Sequence, residues 1–335
     1  RIADMKINTV FLQAFSDPDG DGLVKEVYFP NSVLPMRADF FNRVAWQLAS
    51  RGGVRVYAWM PVLSLALDDS YPRVSRWNPA DGQVSVDPKQ YQRLSPFNTR
   101  NREAISKLYE DLARHASFAG VLYHDDALLS DFEDASPDAL AAYARAGLPQ
   151  DIAAIRANDE LMQRWTRFKS QALVQFTQEL TEKVRKIRGP EIKTARNIFA
   201  APILDPKAEQ WFAQNPDDFL KAYDWTAPMA MPYMESVPHA NADQWLDQLV
   251  DRMAERPGAL KKTVFELQAR DWHQPGTHAS STQQLIDSQV IARWMRRLQM
   301  RGVQHYGYYP DDFTQNHPVL KDIRPQMSIT WYPYP

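Results

Sequence analysis

The chain has 335 residues, 44% of them hydrophobic, enough to bury a large core. Lys and Arg total 39 against 41 Asp and Glu, a net charge of −2, so neither nucleic acid nor an anionic membrane is indicated as a partner. The absence of cysteine excludes disulfides, thiol nucleophiles and cysteine metal sites, and no apolar run is long enough to span a bilayer.

Arg1–Lys6 reads like the last turn of a helix, so the chain is expected to be a piece of something longer. Asn8–Phe15 is the first predicted strand. The acidic turn Ser16–Gly22 that follows resembles part of a calcium loop. The twelfth place counted from Asp17 holds Tyr28 instead of a bidentate Glu, which favours a plain turn. A helix over 39–50, with Phe40, Val44, Trp46 and Leu48 as its apolar positions, ends at Gly52-Gly53. Val54–Val62 is the second strand. Leu63–Asn101 has no clear periodicity, and unstructured stretches of this length inside a domain are usually functional. Its Trp77, Tyr91 and Phe97 fit either a cleft lining or rings that pin the loop down.

A helix over 102–115 leads through Phe118-Ala119-Gly120 into the third strand, Val121–Ala127, which ends in His124-Asp125-Asp126. A long helix over 159–187 carries Leu161, Trp165, Phe168, Ala172, Phe176, Leu180 and Val184 on one face and stops at Gly189-Pro190. Strands at 192–200, 225–234, 262–268 and 303–309 alternate with helices at 242–256 and 282–300. Strand and helix alternate to the end, which predicts a parallel sheet. With seven strands, long loops after them and no Gly-rich phosphate turn, the chain is predicted to be an α/β protein, a single TIM-barrel-like (β/α) barrel spanning 1–335.

In such a barrel the carboxyl ends of the strands converge on one face. Reading those ends collects Gln13, Trp59, His124, Asp125, Asp126, Asn197, Tyr233, Glu235, Glu266, Gln268, Tyr306 and Tyr308. Carboxylates, amides and flat rings are the parts that glycoside hydrolysis requires: an acid to protonate the leaving oxygen and a group to stabilise the oxocarbenium-like sugar. Adjacent Asp125 and Asp126 cannot both face the axis of a continuing strand, so one is expected to enter the cleft while the other braces it. Crowded carboxylates raise one another's pKa, which would keep one protonated as a general acid, and Asp125 is the residue named for that role. Three consecutive residues on a strand make a poor metal cage, so neither a metal nor another cofactor is assigned.

The stretches LQAFSDPDGDGLVKEVYFPNSVLPMRADFFNRVAWQL, YAWMPVLS, GVLYHDDALLSDFEDAS, IKTARNIFA and ELQARDW resemble the carboxy-terminal glycoside hydrolase domain of PgaB-like proteins across essentially the whole chain. The resemblance implies a barrel that binds poly-β-1,6-N-acetyl-D-glucosamine (PNAG), a biofilm exopolysaccharide, and cleaves its partially de-N-acetylated form. It implies as partners the polymer, an amino-terminal deacetylase domain not contained in this sequence, and export machinery, at a periplasmic, outer-membrane-associated location. It places Asp125 in hydrolysis and Tyr91 and Trp272 in the glycan groove. Glu266 is the first candidate for the second carboxylate, with Asp126 behind it, and the substrate's acetamido group is the alternative nucleophile. His124, Trp59, Asn197, Tyr233, Tyr306 and Tyr308 complete the expected substrate-binding set. The rival expectation is a non-catalytic domain that holds PNAG and guides it for deacetylation and export.

Overall fold

A computed structural model describes residues 1–17, 21–87, 91–271 and 284–327. Seven strands form one sheet: β1 (Thr9–Gln13), β2 (Arg55–Met60), β3 (Gly120–Tyr123), β4 (Lys193–Ile198), β5 (Trp225–Ala230), β6 (Phe265–Gln268) and β7 (Tyr306–Tyr309). They lie in chain order and every neighbouring pair is parallel. The outer layer contains α1 (Phe41–Gly52), α2 (Thr99–His115), α3 (Asp159–Arg188), α4 (Ala242–Ala254), α5 (Ser288–Met300) and α6 (Leu320–Met327). The sheet curls into a TIM-barrel-like shell, but among the described residues β7 and β1 form no ladder, and a seam stays open between them. No helix among these residues is long and apolar enough to cross a membrane.

Strand parity divides the core in two. Tyr57, Leu122, Ala195 and Ala227 pack inside the shell with Phe11 and Trp225, while Val56, Val121, Tyr123 and Ile198 join the larger core beneath the helices. Two burying faces explain why these strands read as nearly continuous apolar runs. Gly120 is required by close approach: a Cβ there would lie 2.4 Å from the Tyr57 ring and 2.7 Å from the carbonyl oxygen of Lys193. The chain therefore enters β3 through a position that only glycine fits.

Helix α3 follows its expected stripe, burying Trp165, Leu173, Phe176, Leu180 and Val184, with the Asn158 side chain accepting the Leu161 N–H at its start. Helix α1 does not. It buries Phe41 and Ala45, whereas Phe40, Val44 and Trp46 are exposed, so its inner face is rotated from the predicted one. Two further helices, Pro137–Arg145 and Ile152–Arg156, stand where the sequence pattern predicts no element. They form a separate small core with Trp165. The long 63–101 stretch is held by a short antiparallel pair, Arg76–Trp77 with Val84–Ser85, and by the Arg73 guanidinium, which donates to the carbonyls of Leu65 and Leu67.

Replacing Gly120 with Val should destabilise the fold by about 3 kcal/mol, because the branched side chain must displace both Tyr57 and strand backbone. Urea unfolding would measure this, and an unchanged midpoint would contradict it.

Candidate active site

The carboxyl ends of the strands open into a cleft of about 1690 Å³ that also runs down the β1–β7 seam. Inward parity brings Trp59, His124, Asn197, Glu266 and Tyr309 to its upper part, and Asp125 is the second residue beyond β3. Tyr91 enters from the long loop. The site is thus built from five strand ends and one excursion.

Asp126 is fully buried and turns away from the cleft. Its carboxylate accepts the N–H groups of Val62, Leu63 and Ser64 at 2.7–3.0 Å, which ties the chain leaving β2 to the chain leaving β3. Despite burial, the nearby His124 and these backbone N–H groups hold its pKa below the ordinary carboxylate value. His124 lies between the two aspartates, Nδ1 3.7 Å from Asp126 and Nε2 3.0 Å from Asp125 Oδ1. The latter is a close charge contact and not an aligned hydrogen bond, since Oδ1 has no hydrogen-bond partner among the described residues. Burial opposes the imidazolium, but the carboxylates of Asp125 and Asp126 outweigh it and push the histidine up to about 10. Phe15 and Trp59 enclose the ring, with centroids 5.7 and 5.2 Å away.

Glu266 is the other carboxyl that a strand end brings into the cleft. Asn197 Nδ2 donates to its Oε2 at 2.7 Å, while Oε1 is sealed from solvent and has no partner among the described residues. Burial pushes its pKa up to about 8 against the pull of that hydrogen bond, and Asp125 adds to the rise. The residue as a whole is half-buried, and solvent screens part of this effect. Near neutral pH Glu266 is a carboxylic acid holding its proton. The expected crowding of Asp125 with Asp126 is not what raises a carboxyl here: Asp126 is lowered, and the raised group is Glu266.

Of the sequence-predicted residues, His124, Asp125, Glu266, Trp59, Asn197 and Tyr91 share the cleft. Tyr306 and Tyr308 touch its seam, but their hydroxyls are engaged elsewhere: Tyr306 donates to the Gln326 carbonyl and Tyr308 to Asp311 at 2.7 Å. Tyr233 packs against His239 and Trp294, with centroids 4.1 and 5.4 Å away, beside the cleft wall. Trp272 lies outside the described residues. The tyrosine that β7 brings inward is Tyr309, whose ring meets Trp59 edge-on at 5.0 Å. Its pKa is pushed up to about 12 by burial and by Asp125 and Glu266. Parity is the available signal, because Glu266 is in register with Gly307 and so shares its inward face with Tyr309, two residues on.

The model of GHL13, hypothetical glycosyl hydrolase family 13, matches residues 1–309. The chain belongs to this family. It is 56% identical over 333 residues to the poly-β-1,6-N-acetyl-D-glucosamine N-deacetylase of Escherichia coli K12, covering 99% of this chain and 49% of that protein. The chain therefore spans about half the length of the curated relatives it matches. Among solved structures, the PgaB (BpsB) glycoside hydrolase domain of Bordetella bronchiseptica is 46% identical, with a TM-score of 0.89 over 98% of this chain and 91% of that one. A Marinomonas β-galactosidase shares the fold at 13% identity, with a TM-score of 0.63 over 98% of this family member and 55% of the galactosidase.

Holding Glu266 unionised costs stability that a neutral isostere would not. Its folded pKa lies above the ordinary value, so folding is progressively penalised as pH rises from about 4.5 to about 8 and uniformly penalised above that. Glu266→Gln, which keeps an acceptor for Asn197, should match the wild type at pH 4 and be more stable by about 2 kcal/mol at pH 9, a value discounted for the open cleft. Thermal melts at the two pH values check this, and equal melting temperatures at pH 9 would contradict the buried acid.

Proposed function

We propose that this chain is a glycoside hydrolase domain that binds and endo-cleaves partially de-N-acetylated PNAG. The observation that carries the reading is the pair of sealed carboxyl oxygens, Asp125 Oδ1 and Glu266 Oε1, both unsatisfied among the described residues and both on the cleft. Buried polar atoms without partners are costly, and a small turn of either side chain toward the cleft would bring its oxygen to a ligand hydroxyl or glycosidic oxygen. The family assignment and the E. coli and Bordetella relatives support the reaction class and the polymer. Among the described residues the cleft continues along the β1–β7 seam, which supports attack within a chain.

Glu266, the carboxyl that burial keeps protonated, donates its proton to the leaving glycosidic oxygen as that oxygen's bond to the anomeric carbon breaks, and its carboxylate takes a proton back from the water that then attacks that carbon. Asp125, paired with the His124 imidazolium, faces the positive charge that develops at the anomeric carbon or orients the substrate's acetamido group as nucleophile. Asp126 fixes the histidine and does not meet the sugar. Trp59, Tyr91 and Tyr309 supply faces for pyranose rings. In the full-length protein this domain works beside the deacetylase half, in the periplasm and associated with the outer membrane, passing polymer toward the export machinery.

Mass spectrometry of partially deacetylated PNAG incubated with the domain should show shortened oligosaccharides. Asp125→Asn and Glu266→Gln should each lower the rate by about 10²-fold or more. The wild-type rate should fall as pH rises through about 8, where Glu266 loses its proton. Intact polymer that stays bound to all three proteins would make the domain a carrier and overturn the reading.

A further inference from the structure

The Tyr91 ring forms a wall of the cleft, 6.4 Å from the His124 ring and tilted 36° to it. It stands on a long excursion with little regular structure, where a side chain would ordinarily be free to drift. Two features hold it.

Behind it lies Arg93, only 2% exposed. The Arg93 Nε donates to the Tyr91 carbonyl at 3.0 Å, Nη1 donates to the carbonyl of Leu128, and Nη2 donates to both oxygens of Glu133 at 2.9 and 3.0 Å. Glu133 is itself 1% exposed and accepts the Ser130 N–H at 3.0 Å. One guanidinium therefore joins the tyrosine loop to the segment that continues from His124-Asp125-Asp126, since Leu128 is three residues beyond Asp125. A buried ion pair of this kind contributes little net stability over an apolar pair, and its attested use is to specify one arrangement. The rigid planar fork reaches these partners from three separate nitrogens, whereas a lysine offers a single nitrogen on a flexible stem.

In front of it lies Gly22. A Cβ at this position would fall 2.2 Å from Tyr91 Cδ1 and 2.3 Å from Cε1, so the ring rests directly on glycine backbone. Gly22 has a positive φ of 75°, and its N–H donates to Asp17 Oδ2 at 2.8 Å. Asp17, Gly22, Tyr91, His124 and Asp125 line one stretch of the cleft.

We propose that Arg93 and Gly22 are positioning residues that clamp Tyr91 at a set distance from Asp125, and so fix the sugar ring at the reaction centre. The inference rests on the hydrolase reading above. Neither residue is a catalytic group. Arg93 acts through the Tyr91 backbone and the Leu128 carbonyl, Gly22 through the ring face, and a displacement of about 1 Å at a reacting centre costs up to about 10²-fold in rate.

The test is a set of double-mutant cycles on the whole domain, with kcat and KM for cleavage of partially deacetylated PNAG oligosaccharides and a thermal melt for each variant. Arg93→Lys and Gly22→Ala should each lower kcat/KM by about tenfold or more while Asp125 and Glu266 remain in place. In a Tyr91→Ala background neither should lower it further, because the group they position is gone. Should Arg93→Lys fail to fold, Gly22→Ala with Tyr91→Ala completes a cycle without disturbing a buried charge. A folded Gly22→Ala with wild-type kcat/KM, or losses that multiply with that of Tyr91→Ala, would overturn the proposal. A wild type that cleaves nothing defeats the hydrolase reading on its own, and the same cycles read in Kd for the uncleaved oligosaccharide then decide the positioning role.

Discussion

The carboxylate of Asp126 is the contact on which the site is built. Three consecutive backbone N–H groups, from Val62 to Ser64, converge on it at the point where the chain leaves β2. Hydrogen bonds to a charged acceptor contribute about 1.5–3 kcal/mol each, so a buried charge that would otherwise be prohibitive becomes a rivet between two loops. The same carboxylate attracts His124, and His124, charged and enclosed by Phe15 and Trp59, meets Asp125 on its other nitrogen. Removing the rivet would free both loops, release the histidine and leave Asp125 without its partner. Two adjacent aspartates thus sit in opposite places: one is consumed by the fold, and the other lines the cleft.

The open seam sets the second constraint. A closed barrel of this size fills its interior with side chains. Here, among the described residues, β1 and β7 leave their outer edges without a ladder partner, and the cleft extends between them past Phe11 and Tyr57. The arrangement exposes strand edges and half-buried apolar residues, a liability in most proteins. In return it gives a groove instead of a pit, and an environment dry enough above it to keep Glu266 protonated while the imidazolium a short way off stays charged. Both groups are shifted upward, the imidazole to about 10 and the carboxyl to about 8, so each holds its proton near neutral pH.

Much of this is legible in the residues. The alternation of apolar runs with 3.6-period segments yields seven parallel strands in chain order, and the strand ends bring Asp125, Glu266, Asn197, His124 and Trp59 to one place. What escapes has physical causes. Reading the last strand end selects Tyr306 and Tyr308 over Tyr309, because an aromatic run at an edge strand hides which parity faces inward, and only the pairing of Glu266 with Gly307 decides it. Helix α1 borders the open seam, so its apolar residues do not report a buried face, and Phe40 and Trp46 stand in solvent. The sequence Ser16–Gly22, which resembles part of a calcium loop, ends in a glycine whose use depends on a ring about seventy residues away in the chain. Long-range seating of that kind leaves no local pattern.

The most direct test is a crystal structure of the Glu266→Gln variant soaked with a partially deacetylated β-1,6-linked glucosamine oligosaccharide. The account predicts an oligosaccharide lying along the cleft, with one glycosidic oxygen within hydrogen-bond distance of the amide that replaces the Glu266 carboxyl, and the adjoining sugar ring against Asp125 and Tyr91. An oligosaccharide bound elsewhere on the barrel, with Asp125 Oδ1 still unpartnered, would contradict it.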